Sequence, residues 1–144
     1  MQQPISDPLH APRSILIVED ELSIRDSLCD LFDVPGVTVT AAADTGEALA
    51  ALHAGGFDLV ITDLRLGPKH DGGLQVMAAA AMLSPDAAVV ALTAYPEQRN
   101  RLAADRLGAT QFLEKPVDLV TIARIAERHG VPSALQERRP ARES

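Results

Sequence analysis

Three carboxylates stand directly after apolar runs of this sequence. Glu19 and Asp20 follow the run ILIV at 15–18, and Asp63 ends the run FDLVITD at 57–63. Crowding negative charges at the edge of a buried core is costly, so we expect a positive charge to compensate them. Hard divalent cations prefer carboxylate oxygens, and magnesium usually takes one or two carboxylates, several waters and phosphate oxygens. The three acids therefore predict a cation site, with Mg²⁺ as the best match.

Two more polar residues stand at the ends of later apolar runs. Thr93 lies near the end of AAVVALTA at 87–94, and Lys115 follows TQFLE at 110–114. Taken singly, these residues have ordinary explanations. An acid directly after a strand often caps the next helix, and a lone lysine is usually solvated. Their shared position after apolar runs favours one common site, in which Lys115 supplies a second positive charge.

The elements that must position these residues follow from alternating apolar runs and helical patterns. Ile24, Leu28 and Leu31 have the spacing of a helical apolar stripe, and Asp44 with Glu47 forms a capping-box pattern. Strands are predicted at 15–18, 37–42, 57–63, 87–94 and 110–114, each followed by a helix. The fold class is therefore α/β, a doubly wound five-stranded parallel sheet of (βα)5 type with helices on both faces.

Parallel strands bring their carboxyl ends to one edge of the sheet, where ligands bind in such folds. The five polar residues named above should collect at that edge. Four sequence motifs there, in this order, resemble the receiver domain of two-component response regulators: ILIVEDE at 15–21, VITDLRL at 60–66, ALTAY at 91–95 and FLEKP at 112–116. The resemblance covers about residues 14–129 and implies the flavodoxin-like receiver fold.

The resemblance also assigns the metal site. It implies that Asp63 accepts a phosphoryl group from a sensor histidine kinase or a histidine phosphotransfer protein. It implies that Mg²⁺ is bound directly by Asp20 and through water by Glu19, together with Asp63 and the backbone carbonyl of Arg65. A carboxylate can act as the nucleophile of such a transfer, which requires positioning and charge neutralisation.

A switch is implied by the same resemblance. Thr93 and Lys115 would contact the phosphoryl oxygens, and Phe112 would be the aromatic side chain that rotates when Thr93 moves inward. The Lys115–Pro116 peptide bond is expected to be cis. The protein would be a signalling receiver that catalyses only its own phosphorylation and dephosphorylation, and its surface would change for a downstream protein target or in a homodimer.

Composition sets the remaining expectations. The net charge of −7 argues against a nucleic-acid-binding surface, and no apolar window is long enough for a membrane span. Cys29 is the single cysteine, which excludes an intrachain disulfide and fits the cytoplasm. We expect a flexible N-terminal segment at 1–13, a receiver domain at 14–130 and a C-terminal tail at 131–144. The chain would be a stand-alone receiver or the receiver part of a larger regulator or hybrid kinase.

Several alternatives remain open. A magnesium-dependent phosphatase of the haloacid-dehalogenase type would need a second aspartate where Arg65 stands, and a nucleotide-binding flavodoxin-like module would need a phosphate loop after the first strand. The chain could also be a receiver that works without phosphorylation, or a passive phosphate sink. His70 in the loop RLGPKHDGG is a conceivable extra ligand, although a solvated histidine is the simpler interpretation.

Overall fold

Strands and helices alternate between residues 13 and 128, as the sequence predicts, and a further short helix follows. The computed structural model describes residues 12–67 and 71–137, so His70 lies outside the described residues. The strands are β1 (Arg13–Val18), β2 (Val37–Ala42), β3 (Leu59–Asp63), β4 (Ala88–Thr93) and β5 (Gln111–Glu114). The helices are α1 (Leu22–Leu31), α2 (Thr45–Ala54), α3 (Gly72–Leu83), α4 (Gln98–Arg106), α5 (Leu119–Arg128) and α6 (Ala134–Glu137).

The five strands form one parallel sheet in the order β2-β1-β3-β4-β5. Every residue of β3 and β4 is buried, which explains why their sequences are almost continuously apolar. Within the described residues, no helix combines the length and the hydropathy that a membrane crossing requires. The predicted doubly wound α/β fold is confirmed.

Side chains along β1 point alternately into two separate cores. Ile15 and Ile17 pack on the face covered by α1 and α5, whereas Leu16 and Val18 pack on the face covered by α2, α3 and α4. All four side chains are fully buried. The sheet therefore lies between two apolar layers, and its polar groups are displaced to the ends of the strands.

The capping box of α2 is formed as predicted. Asp44 Oδ1 accepts a hydrogen bond from the Glu47 N–H at 2.8 Å, and Glu47 Oε1 accepts one from the Ala43 N–H at 2.7 Å. Helix α4 begins at Gln98, and in the turn before it the Glu97 N–H donates a hydrogen bond to Tyr95 O at 2.8 Å.

The packed domain extends beyond residue 130, where the sequence places the start of a tail. Val131 is fully buried in the core beneath α1 and α5, and Leu135 of α6 packs against that core. Burying an apolar side chain is favourable, so this segment is held to the domain despite its Pro132. At the other end, β1 begins at Arg13.

Candidate functional site

The five polar residues singled out in the sequence lie at one edge of the sheet. Glu19 and Asp20 follow β1, Asp63 ends β3, Thr93 ends β4 and Lys115 follows β5. The parallel register brings these strand ends level, because it pairs residue 63 with 92 and residue 93 with 114. The structure therefore brings together all five residues that the sequence predicts.

The carboxylates of Glu19, Asp20 and Asp63 form a compact acidic cluster. One oxygen from each lies within 4.8 Å of the others. Glu19 is fully buried and Asp63 is 5 % exposed, whereas Asp20 is exposed. Two of the three carboxylates are thus buried, and the third is accessible to solvent. Within residues 12–67 and 71–137, no other group of three or more metal-binding side chains is gathered in this way.

Lys115 provides the positive charge that the acids require. Its Nζ lies 2.8 Å from Glu19 Oε1 and 2.8 Å from Asp63 Oδ2. Burial alone would lower the pKa of the Lys115 ammonium, but the hydrogen bonds and charges of Asp63 and Glu19 raise it above its usual value. Lys115 is therefore held in its charged form between two carboxylates, and its peptide bond to Pro116 is cis, as predicted.

The ionised form of the Glu19 carboxylate is disfavoured by its burial. Burial raises the pKa of its carboxyl; Lys115 and the Glu21 backbone N–H oppose this in part, and the charge of Asp63 adds to it. The Glu21 N–H donates to Glu19 Oε2 at 3.1 Å. Glu19 Oε1 is buried, and its partner among the described residues is the Lys115 ammonium at 2.8 Å. An oxygen in this state suits a cation or a metal-bound water.

The loop after β3 fixes the orientation of Asp63. Asp63 Oδ1 accepts a hydrogen bond from the Arg65 N–H at 3.1 Å, while Oδ2 accepts one from Lys115. The start of α3 lies directly against this loop, because the Gly73 N–H donates to Leu64 O at 3.1 Å. A Cβ atom on Gly73 would clash with the Asp63 carbonyl oxygen, so no larger residue fits there without a shift. The sequence interpretation missed this contact, although the pair Gly72–Gly73 was a visible signal.

Thr93 and Phe112 lie on the neighbouring strands β4 and β5. Thr93 is fully buried, and its Oγ1 accepts a hydrogen bond from the Tyr95 N–H at 2.9 Å. Phe112 is half-buried; it pairs with Ala91 in the sheet register and packs against the core beneath α2, α3 and α4. The two residues predicted to form a switch therefore lie on adjacent strands, near the strand ends that carry the acidic cluster.

Two histidines and the single cysteine lie away from this site. His53 is exposed near the end of α2, and His129 is exposed at the end of α5. Cys29 is half-buried, and burial raises the pKa of its thiol, which disfavours the reactive thiolate. None of the three belongs to the acidic cluster.

A parallel five-stranded sheet with acids at β1 and β3, a hydroxyl at β4 and a lysine after β5 defines a receiver-type site. The family model described as "Response regulator receiver domain" matches residues 15–127. The chain belongs to this family.

Individual relatives agree with that assignment. The chain is 31 % identical over 132 residues to the transcriptional regulatory protein GlrR of Escherichia coli (strain K12). That match covers 92 % of this chain and 28 % of GlrR, so the chain spans little more than a quarter of that relative's length.

Solved structures show the same fold. A CheY-like response regulator receiver domain protein from Methanospirillum hungatei JF-1 has a TM-score of 0.74 and 29 % identity, with 83 % of this chain and 94 % of that chain covered. A response regulator protein from Burkholderia pseudomallei, solved with a phosphorylated aspartic acid, a calcium ion and citrate, has a TM-score of 0.70 and 29 % identity. That match covers 79 % of this chain and 65 % of the other.

Proposed function

We propose that this receiver is a phosphorylation-activated switch in a two-component phosphorelay and that Asp63 is its phosphoacceptor. The observation that carries the proposal is the position of the Lys115 ammonium, 2.8 Å from both Asp63 and the buried Glu19, beside the exposed Asp20. A nucleophilic carboxylate with a fixed cation on one side and an open acidic face on the other is suited to phosphoryl transfer.

The metal in this proposal is Mg²⁺. Asp20, Asp63 and the backbone carbonyl of Arg65 would bind it directly, and Glu19 would bind it through water. When bound, Mg²⁺ neutralises charge on the oxygens of the transferring group. The compact trio of carboxylates, with the buried Glu19 among them, fits this cation, which takes hard oxygen ligands and keeps part of its water shell.

The transfer itself needs one bond to form and one to break. A carboxylate oxygen of Asp63 attacks the phosphorus of a phosphohistidine, the O–P bond forms, and the N–P bond breaks with the electron pair leaving on the imidazole of the donor. Lys115 can turn its ammonium from the Asp63 carboxylate to a phosphoryl oxygen with a small movement, because Lys115 is already fixed between two acids. Asp63 is 5 % exposed, so the donor must approach along the open side of the cluster.

Thr93 and Phe112 would change position in response to phosphorylation of Asp63. The Thr93 hydroxyl now accepts a hydrogen bond from the Tyr95 N–H, and its own proton is available to donate to a phosphoryl oxygen. Movement of Thr93 toward Asp63 would make room for Phe112 to turn inward. A full swing from resting to active requires roughly 5 kcal/mol of differential binding, which a new hydroxyl contact and a charged Lys115 contact can supply in large part.

The partners follow from the same proposal. Upstream we propose a sensor histidine kinase or a histidine phosphotransfer protein, and downstream a protein target or a second copy of the chain, in the cytoplasm. The net charge of −7 speaks against direct binding to DNA. The chain would be a signalling receiver whose only catalysis is its own phosphorylation and dephosphorylation. Since the chain spans 28 % of GlrR, a receiver part of a larger regulator remains the alternative, as does a passive phosphate sink.

Intact-mass spectrometry after treatment with acetyl phosphate and Mg²⁺ tests the proposal. Wild type should gain one phosphoryl group, and Asp63→Asn should gain none. Asp86→Asn, which alters an exposed acid outside the cluster, is the matched control and should behave as wild type. Phosphorylation of Asp63→Asn to the wild-type extent would refute the assignment.

A further inference from the structure

The side chain of Arg101 lies over the face of Phe112. The guanidinium carbon is 4.5 Å from the centroid of the ring. Arg101 is an exposed residue of α4, and Phe112 is a half-buried residue of β5 beneath it. A guanidinium within about 6 Å of an aromatic face is attracted by the ring, more strongly where water is partly excluded.

The ring is the partner that the structure gives to this guanidinium. Within residues 12–67 and 71–137, Arg101 makes no ion pair, whereas Arg99 of the same helix lies 3.7 Å from Glu97. The next turn of α4 is anchored by Ala104, which is fully buried in the core that Phe112 also contacts. Arg101 is thus held above Phe112 by a helix that is packed against the same core.

We propose that Arg101 is a clamp that holds Phe112 in its resting position and thereby opposes activation; the inference rests on the proposed function. The contact exists while the ring lies beneath α4, and inward rotation toward Thr93 removes it. An interaction made in only one of two states shifts the equilibrium toward that state. Arg101 is therefore a positioning residue for the switch, although it lies outside the acidic cluster.

Binding of beryllofluoride with Mg²⁺ measures the cost of activation directly, because this phosphoryl mimic favours the active state. Arg101→Met keeps most of the side chain's length and removes the cation. It should bind beryllofluoride roughly two- to fivefold more tightly than wild type, the factor expected for an exposed cation–π contact. Titration calorimetry gives the affinity.

Two controls isolate the contact. Arg99→Met removes the same charge from the same helix without touching Phe112, and it should leave the affinity unchanged or slightly weaker. In a Phe112→Leu background the ring is absent, so the additional change Arg101→Met should have no effect. This double-mutant cycle separates the stacking contact from the general loss of positive charge.

Fluorine NMR supplies a readout that a merely structural role of Arg101 would not move. The chain has three phenylalanines, so labelling with 4-fluorophenylalanine gives three signals, and Phe112→Leu assigns one of them. Without beryllofluoride, Arg101→Met should shift the Phe112 signal toward its position in the saturated wild type. Arg99→Met should not shift it.

The outcomes are distinguishable. Equal affinities and equal Phe112 signals for Arg101→Met and Arg99→Met would overturn the clamp while leaving the proposed function intact. Weaker binding by Arg101→Met than by Arg99→Met would overturn it as well, because the contact would then support the active state. If wild type binds beryllofluoride no better than Asp63→Asn, the proposed function fails and the clamp fails with it.

Discussion

The guanidinium carbon of Arg65 lies 3.9 Å from the centroid of the Tyr95 ring. The two residues belong to different loops, one following β3 and the other following β4. The backbone N–H of Arg65 donates to Asp63, and the backbone N–H of Tyr95 donates to Thr93. The stacked side chains therefore join the loop that orients Asp63, the proposed phosphoacceptor, to the loop that holds the hydroxyl of Thr93.

This contact makes Tyr95 a natural reporter, because the chain contains one tyrosine and no tryptophan. We expect Mg²⁺ or beryllofluoride to change the Tyr95 fluorescence of wild type. Arg65→Ala should lose at least about half of that change, since the stacked cation is gone. Its Mg²⁺ affinity should stay within about twofold of wild type, because the proposed ligand is the backbone carbonyl. An undiminished fluorescence change in Arg65→Ala would contradict the coupling.

Asp20 should dominate Mg²⁺ binding. It is the exposed acid of the cluster and the one with direct access to a hydrated cation. Asp20→Asn should weaken Mg²⁺ binding by about tenfold or more, since a charged ligand is replaced by a neutral one. Asp30→Asn on α1 changes an exposed acid elsewhere and serves as the control. Equal binding by wild type and Asp20→Asn in titration calorimetry would exclude Asp20 from the metal site.

Glu19→Gln should stabilise the protein in metal-free buffer at neutral pH. Burial raises the pKa of Glu19, so its ionised form is less favoured in the folded state than in the unfolded chain. The neutral amide should therefore increase the free energy of unfolding by up to about 1 kcal/mol.

The pH dependence gives the sign of this effect. A raised folded pKa means that protonated Glu19 favours folding, so the gain from Glu19→Gln should be present at neutral pH. It should shrink as the pH falls through the folded pKa and vanish below 4.5, the ordinary pKa of a glutamate. Urea unfolding at a series of pH values measures this, with Glu114→Gln as an exposed control. A gain from Glu19→Gln that grows on acidification would show that burial is not its cause.

Gly73→Ala should be much more damaging than Gly55→Ala. The added Cβ of Gly73 would clash with the carbonyl oxygen of Asp63, whereas Gly55 has extended backbone with φ −177° and nothing within 4 Å of its added Cβ. Forcing α3 away from the loop should cost roughly 1–3 kcal/mol of stability and slow phosphorylation by acetyl phosphate. Similar unfolding free energies for the two variants would show that the α3 contact yields easily.

The strands and the acidic site could be predicted because their signals are local. An apolar run that ends in Asp63 or in Glu19 carries both the strand and the polar group at its end, and the parallel topology then brings these ends together. Thr93 and Lys115 were found in the same way. The roles of these residues came from the resemblance and stay predictions until they are measured.

Other features could not be read because they depend on distant side chains. The stacking of Arg65 on Tyr95 and of Arg101 on Phe112 joins residues of different elements, and nothing in the local sequence marks such pairs. The burial of Val131 was missed for a related reason. A proline-containing segment after a helix is typical of a tail. Val131 belongs to the core because it packs against side chains of α1 and α5, which are distant in the sequence.

The alternation of side chains along the strands divides the domain into two apolar layers whose packing can be altered separately. Leu113 packs into the core beneath α1 and α5, while its neighbour Phe112 packs into the core beneath α2, α3 and α4. Substitutions that reshape the surface of α1 or α5 therefore act on packing that the aromatic residue does not share. A packing change at Leu113 can therefore alter the stability of one core while the contacts of Phe112 in the other core stay in place.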